Sequence, residues 1–151
     1  MENILNETIK AQFVHRLEQL NENSNRQWGV MTVNEMLSHL NDAIRISMGM
    51  KPAVDQSNFF TQKIMFPVAV YIMPFWPKGN PTAPEMIASK EGSTPKDFYT
   101  ELSFLLKMLD VFAEREPNKF HPHPMFGTLT KTQWADLLTK HIHHHLKQFG
   151  V

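Results

Sequence analysis

The sequence predicts an all-α protein in which four main helices form a bundle. Three observations support this fold class. Apolar residues recur at spacings of three and four in long segments, two of these segments begin with a capping-box motif, and no segment shows strand-like alternation of comparable strength. The 151 residues are predicted to form a single domain over residues 1–151, which is long enough to bury a hydrophobic core.

The first predicted helix runs from roughly Glu7 to Leu20, and the second begins at about Val33. Apolar residues in the first helix are spaced four, four and three apart, at Ile9, Phe13, Leu17 and Leu20. Thr32 and Glu35 form a T-x-x-E capping box in front of the second helix. Gly49 is its predicted end.

A third helical segment is predicted over Phe59 to Ile72, with Pro67 kinking or splitting it. The most apolar stretch of the chain, Ile64–Trp76, overlaps this segment. It is too short to span a bilayer and is interrupted by prolines, so the prediction is a buried helix. The next residues, PFWPKGNPTAPEM, contain four prolines and a glycine and are predicted to form a long, ordered or semi-ordered loop.

The last two helices are predicted from proline and capping signals. Thr94 precedes a proline in the first-turn position, so a helix is predicted from Pro95 to about Arg115. Thr130 and Gln133 form a second capping box, and the final helix is predicted to continue through Phe149.

Composition excludes several classes of protein. Lys+Arg and Asp+Glu balance at 15 each without runs of like charge, which disfavours binding to nucleic acid. The absence of cysteine excludes disulfide scaffolds, thiolate zinc sites and cysteine nucleophiles. The segment MENILNETIKAQF has acids and amides where a signal peptide has a basic start and an apolar run. The chain is therefore expected to be cytoplasmic, with no membrane partner.

Four of the eight histidines lie in the final segment, KHIHHHLKQFGV. An α-helix advances about 100° per residue, which places His145 about 20° and His141 about 60° from the centre of the apolar stripe. His144 lies nearer the edge, and His143 is predicted to face solvent. Side chains at i and i+4 lie one turn apart on one face, so His141 and His145 can reach the same metal ion.

Other interpretations of this spacing stay open at this point. Two hydrogen-bonded core histidines would give the same pattern, whereas a purification-tag relic is disfavoured because the cluster completes an amphipathic helix. A catalytic zinc site needs a third protein ligand and an open position. His39 lies beside the apolar stripe of the second helix, while His15 is predicted to be solvated. His121 and His123 lie in a proline-bounded loop from which either could approach a site.

Four sequence blocks occur in the order that is typical of one superfamily: MLSHLNDA, PFWPKGNPTAPEM, HPMFGTLTKTQW and KHIHHHLKQFGV. Together they resemble the DinB/YfiT-like superfamily of metalloenzymes, and more narrowly a small branch with no assigned activity that shares PWPKG-x-x-TAPE, HP-x-FG and H-x-x-HH-x-x-QF motifs. The resemblance covers roughly residues 27–151. It implies an up-down-down-up four-helix bundle, often dimeric, that holds a divalent ion on three histidines.

Carried onto this sequence, the resemblance implies that His39, His141 and His145 are the metal ligands. Gln148 follows His145 by three residues and is either a contact to a ligand or substrate or a polar residue at the helix end. Asp42 matches an aspartate of the family. Its position away from the apolar stripe favours a solvated carboxylate over one that orients a ligand.

The resemblance also places three residues as candidates to line the cleft: Lys78, Glu85 and His123. The expected cofactor is a divalent ion, zinc or nickel, which can lower the pKa of a bound water from 15.7 to about 7 or bind a thiolate. The expected function is a metal-dependent hydrolase or low-molecular-weight thiol S-transferase acting on a small molecule, with the thiol as co-substrate in the second case. The alternative is a metal-stabilised binding or stress-associated protein without turnover.

Overall fold

The computed structural model of the protein describes residues 1–79, 84–87 and 90–151. It contains four α-helices: α1 (Glu7–Glu18), α2 (Val33–Ser47), α3 (Phe98–Glu114) and α4 (Lys131–Gln148). Two π-helical turns, Thr61–Met65 and Val68–Ile72, and a 3₁₀ turn, Pro84–Met86, lie between α2 and α3. The described residues form no strand, and the all-α prediction is confirmed.

Capping boxes begin α2 and α4, as predicted. The backbone N–H of Thr32 donates to Glu35 Oε2 at 2.7 Å, and Glu35 N–H donates back to the Thr32 hydroxyl at 3.2 Å. At α4 the same exchange joins Thr130 and Gln133, with distances of 2.9 and 3.2 Å. Each box satisfies N–H groups that have no partner within the helix, which fixes the first residue of both helices.

The predicted start of α3 at Pro95 is wrong, since the helix begins at Phe98. Asp97 is the N-cap residue, with an extended backbone, and its carboxylate accepts from the backbone N–H of Thr100 at 3.0 Å and from the Thr100 hydroxyl at 2.6 Å. A carboxylate at this position interacts favourably with the positive end of the helix dipole and so stabilises a helix that begins here. The aspartate therefore overrides the proline signal two residues earlier.

The most deeply buried helix is α2, which packs against both α3 and α4. The same two helices also pack against α1. Twelve of the fifteen residues of α2 are buried, including five polar ones besides its apolar stripe: Ser38, His39, Asn41, Asp42 and Ser47. Buried polar groups need internal partners, so the polar residues of this helix connect it to its surroundings.

Asp42 is buried, with 1% of its surface exposed, and the prediction of a solvated carboxylate is wrong. Its Oδ2 accepts from Lys51 Nζ at 2.8 Å and from the Ser93 N–H at 2.7 Å, while Oδ1 accepts from the Ser93 hydroxyl at 2.6 Å. Arg45 lies 3.3 Å from the same carboxylate. The chain around Ser93 covers this side of α2, which no property of the helix alone could show.

The stretch Ile64–Trp76 is helical as far as Ile72, but the prediction of a buried helix is wrong. Only Phe66 and Val70 are buried in it, against the core and the side of α4. Most of the large apolar side chains of residues 59–72 are exposed: Phe59, Phe60, Ile64, Met65, Val68, Tyr71 and Ile72. The four α-helices already enclose the core, so this segment lies on the outside of the bundle and buries only one narrow stripe of side chains against it.

Pro67 does not end this helical segment, because π turns lie on both sides of it. Pro67 itself has helical φ and ψ of −58° and −40°. The N–H of Phe66 bonds to the carbonyl of Thr61, five residues earlier. The wider turn tolerates a residue that has no N–H to donate. None of the helices in the described parts of the chain is both long and apolar enough to cross a membrane.

Replacing Asp42 by alanine is expected to lower the free energy of unfolding by about 3 kcal/mol, because the Lys51 ammonium and the Ser93 N–H lose a buried partner. Urea denaturation measures this loss. Asp110→Ala is the matched control, since its carboxylate pairs with Lys10 but is 64% exposed, and its removal should cost less than about 1 kcal/mol. Equal losses in the two variants would contradict the anchoring role of Asp42.

Candidate metal centre

Three histidines from two helices converge on one point inside the protein. His39 lies in the middle of α2, and His141 and His145 lie one turn apart on α4. His141 Nε2 lies 2.7 Å from His39 Nε2 and 3.1 Å from His145 Nε2. The candidate ligand atoms of this three-histidine group all lie within 4.8 Å of one another, and among the described residues no carboxylate belongs to it. Such a group can hold a metal ion.

Hydrogen bonds on the far side of two of these rings determine which nitrogen is free. The backbone oxygen of Met86 lies 3.1 Å from His39 Nδ1, so Nδ1 carries the proton. His145 Nδ1 lies 2.8 Å from Gln148 Oε1, and Gln148 donates from Nε2 to the Trp28 carbonyl at 2.9 Å. The carbonyl fixes the orientation of the amide, and the amide oxygen then fixes the proton on His145 Nδ1. Both rings therefore direct an Nε2 lone pair at the shared point.

His141 completes this arrangement and makes it suitable for a cation. Its Nε2 faces the Nε2 atoms of both His39 and His145, and a neutral imidazole has at most one proton there. One N–H cannot satisfy two acceptors that lie in different directions. A metal ion bound by all three lone pairs would satisfy every one of them, and Nδ1–H bonds to oxygen acceptors are typical of metal-ligating histidines.

Burial keeps all three rings neutral at physiological pH. Desolvation lowers the pKa of His39, and it lowers the pKa of His145 to about 3, with repulsion from His39 as the next cause. Desolvation also holds the pKa of His141 well below 6.5, and the neighbouring His39 and His145 add to the effect. Neutral imidazole is the form that binds a metal ion, so the site does not have to lose protons first.

The two remaining histidines of the tail lie outside the three-histidine group. The ring of His144 contacts the ring of His145 at 5.2 Å between centroids, which agrees with the predicted edge position. The prediction that His143 faces solvent is wrong, because its Nδ1 lies 2.9 Å from Arg16 NH1 of α1 and its ring meets Phe13. α4 packs against α1 on this side, so more than one face of the helix is covered.

Gln148 is the predicted neighbouring residue that the structure brings into contact with the three-histidine group. Asp42 bonds to Lys51 and Ser93 rather than to a histidine in the described structure. Burial lowers the pKa of His39, and the negative charge of Asp42 opposes this lowering. Lys78 lines a cleft next to α4, together with Trp76 and His144, and its Nζ lies over the Trp28 ring. The backbone of Glu85 lies in the 3₁₀ turn, and its side chain is outside the described residues.

The loop histidines do not join the three-histidine group. His123 Nδ1 accepts from the backbone N–H groups of Met125 and Phe126 at 3.0 and 3.2 Å, and its ring stacks on Phe126 at 4.7 Å. Desolvation lowers the pKa of His123 to about 4. This residue therefore holds the turn of the HP-x-FG segment together. His121 and His15 are exposed, the latter as predicted.

Sequence reasoning missed three contributors to the site. Two are backbone carbonyls, of Met86 and Trp28, and a carbonyl leaves no mark in the sequence. The third is Trp76, whose ring lies 5.6 Å from His141 and 5.9 Å from His144. The proline-rich block that contains Trp76 and Met86 marked the right loop, but not the atoms that reach the histidines.

The fold and the site define an all-α protein with a buried three-histidine group that can hold a metal ion. The model of the family described as "Protein of unknown function (DUF1569)" matches residues 4–150, and the chain belongs to this family. No curated protein and no solved structure matches the chain.

The stability of the metal-free protein is expected to fall as the pH is lowered from about 6.5 toward 4. The folded-state pKa values of His123 and His145 lie at about 4 and about 3, below the value of about 6.5 for an unfolded chain. The contribution of these two histidines to the free energy of unfolding is complete above pH 6.5. It is lost at lower pH because only the unfolded chain takes up protons there, and the loss is up to about 1.4 kcal/mol per histidine and pH unit. Urea denaturation at pH 7.5, 6 and 5 measures this slope, and an unchanged free energy of unfolding would contradict it.

Proposed function

We propose that this protein is a metal-dependent enzyme in which His39, His141 and His145 hold one divalent ion, zinc or nickel. The observation that carries the proposal is the convergence of three neutral imidazole nitrogens, two of them with the Nδ1 proton fixed by a hydrogen bond. No carboxylate or fourth histidine among the described residues belongs to the group, so an exogenous molecule can take the remaining position.

The DinB/YfiT-like resemblance supports the same assignment. It implies an up-down-down-up four-helix bundle with one ligand from the second helix and an H-x-x-x-H pair from the last. The pairwise packing of α2 against α3 and α4, and of α1 against the same two helices, is compatible with that bundle. The ligands implied by the resemblance are the three histidines that converge here.

Each residue of the site has a defined task in this proposal. A divalent ion, when bound, supplies Lewis-acid activation that lowers the pKa of a water or a small thiol. His39 and His145 offer their lone pairs because Met86 and Gln148 hold their Nδ1 protons. Because the sequence contains no cysteine, any thiol nucleophile comes from a small molecule. We therefore propose a hydrolase or a low-molecular-weight thiol S-transferase.

We further propose a small-molecule substrate, a cytoplasmic location and a homodimer, without nucleic acid or membrane as partners. The balance of 15 basic and 15 acidic residues supports the exclusion of nucleic acid. The dimer is implied by the resemblance, and the exposed apolar side chains of residues 59–72 are a surface that a second copy would cover.

Elemental analysis of untagged protein, purified without a metal column, tests the metal site. The wild-type chain is expected to carry about one zinc or nickel ion, and His39→Ala is expected to carry less than about a tenth of that, because one of three ligands is lost. His15→Ala is the control, since His15 is exposed on α1. Circular dichroism confirms that the variants are folded. Equal metal content in wild type and His39→Ala would overturn the site.

Activity is tested separately, with ester, amide, epoxide and thiol-conjugation panels on metal-loaded protein. Turnover that disappears in His39→Ala supports the enzyme. Metal-dependent thermal stability without turnover on any panel would instead favour the non-catalytic, metal-stabilised protein.

Gln148→Leu is expected to weaken zinc binding about 10- to 100-fold, because His145 loses the acceptor that orients its ring and fixes its proton. Competition with a chelating dye measures the affinity. Gln133→Leu is the matched control, since it makes the same chemical change in the capping box of α4 without a contact to the histidines. It should reduce stability and leave zinc affinity unchanged. Similar affinities in the two variants would contradict the role of Gln148.

A further inference from the structure

A cleft of about 520 Å³ lies beside the three-histidine group, at the C-terminal end of α4. We refer to it as the C-terminal cleft. Three parts of the chain line it: Gln27 and Trp28; Pro74, Phe75, Trp76 and Lys78; and Lys140, His143, His144, Lys147, Gly150 and Val151. Its volume falls within the range of about 300–1,000 Å³ that is usual for small-molecule sites.

The C-terminal cleft reaches the three-histidine group through Trp76 and His144. The ring of Trp76 contacts the rings of His141 and His144, at 5.6 and 5.9 Å between centroids. His144 in turn contacts His145 at 5.2 Å and Trp28 at 6.0 Å. A molecule in the cleft would therefore lie one side chain away from two of the three candidate ligands.

Among the described residues, the charged side chains that line the C-terminal cleft are all cationic. They are Lys78, Lys140 and Lys147, and the described lining residues include no aspartate or glutamate. None of the three lysines forms an ion pair with a described carboxylate side chain. The main-chain oxygen of Val151, which also lines the cleft, accepts from Arg16 NH2 at 2.7 Å rather than from one of these lysines. Positive charge that no described acidic side chain offsets, inside a concave and partly apolar site, raises the local concentration of anions. This contrasts with the chain as a whole, whose formal net charge is zero.

Aromatic rings hold two of these ammonium groups without neutralising them. Lys147 Nζ lies 3.7 Å from the centre of the Phe75 ring, and Lys78 Nζ lies 4.6 Å from the centre of the Trp28 ring. Lys140 Nζ is instead fixed by the carbonyls of Val70 and Met73. Lys78 and Lys147 thus keep N–H donors for a further partner, while the rings offer flat apolar surface.

We propose that the C-terminal cleft binds a small organic anion, with its carboxylate or phosphate at Lys78 and Lys147 and a flat apolar body against Trp28 and Trp76. Anion binding follows from the cleft alone. Its role as the substrate site rests on the proposed metal-dependent function, because the cleft would deliver the apolar body toward His141.

Titration of the full-length protein with benzoate, phenyl phosphate and neutral benzamide tests this proposal. The three tryptophan indole N–H signals in an NMR spectrum report the location, because Trp28 and Trp76 line the cleft and Trp134 is buried in the core. Benzoate or phenyl phosphate is expected to shift the signals of Trp28 and Trp76 but not that of Trp134. Benzamide is expected to bind at least about tenfold more weakly, because it lacks the charge.

Two lysine variants and a control make the result specific. Lys78→Gln and Lys147→Gln are each expected to lower the affinity for the anion several-fold and to leave the affinity for benzamide unchanged. Lys107→Gln, on the exposed side of α3, is expected to change neither affinity. The anion affinity should also fall as salt is raised. Whichever of benzoate and phenyl phosphate binds more tightly identifies the anionic group. Equal affinities for benzoate and benzamide, or lysine variants without effect, would overturn the proposal.

The titration is run on protein as purified and again after chelator treatment and dialysis. If wild-type protein binds the anion but takes up no metal ion, the cleft proposal stands and the proposed metal-dependent function is overturned. If wild-type protein binds a metal ion that His39→Ala does not bind, but wild-type protein binds no anion, the metal site stands and the cleft proposal is overturned.

Discussion

The carboxamide of Gln148 is the contact on which the arrangement of the site depends. Its Nε2 donates to the Trp28 carbonyl, so its oxygen must face His145 and hold the proton on Nδ1. The lone pair of His145 Nε2 then points toward His39 and His141. A reversed amide would place a donor against His145 and move its proton to Nε2, where it would block a metal ion. The loop that carries Trp28 is thereby coupled to the histidines.

Burial of α2 on nearly all sides is the second constraint, and it gives polar side chains on one helix three different tasks. Asp42 holds the chain around Ser93 to the helix, and Asn41 donates to the Glu101 carboxylate of α3 at 2.7 Å. His39 turns toward α4 and meets the tail histidines. Because each group has a partner outside its own helix, the position of His39 is fixed by the packing of α2 as a whole rather than by a flexible surface.

In the proposed function the C-terminal cleft recognises the substrate, and the three-histidine group holds the metal ion that performs the chemistry. The group is neutral and lies between α2 and α4, whereas the cleft is cationic and is lined by exposed and half-buried residues. Trp76 lies between them and contacts His141 and His144. A chain with no net charge can therefore present a basic site, because three of its 15 basic residues line the cleft and the described lining residues include no aspartate or glutamate.

By itself the sequence determined the helical fold class, the two capping boxes and the choice of His141 and His145 as the inward pair, because helix periodicity and capping act within a few neighbouring residues. The tertiary structure alone decided that Asp42 is buried, that His143 meets α1, and that most of residues 59–72 is exposed. Each of these depends on which distant part of the chain covers a given helix face. A single helix wheel divides residues into one inner and one outer side, and it fails for helices that contact neighbours on several sides.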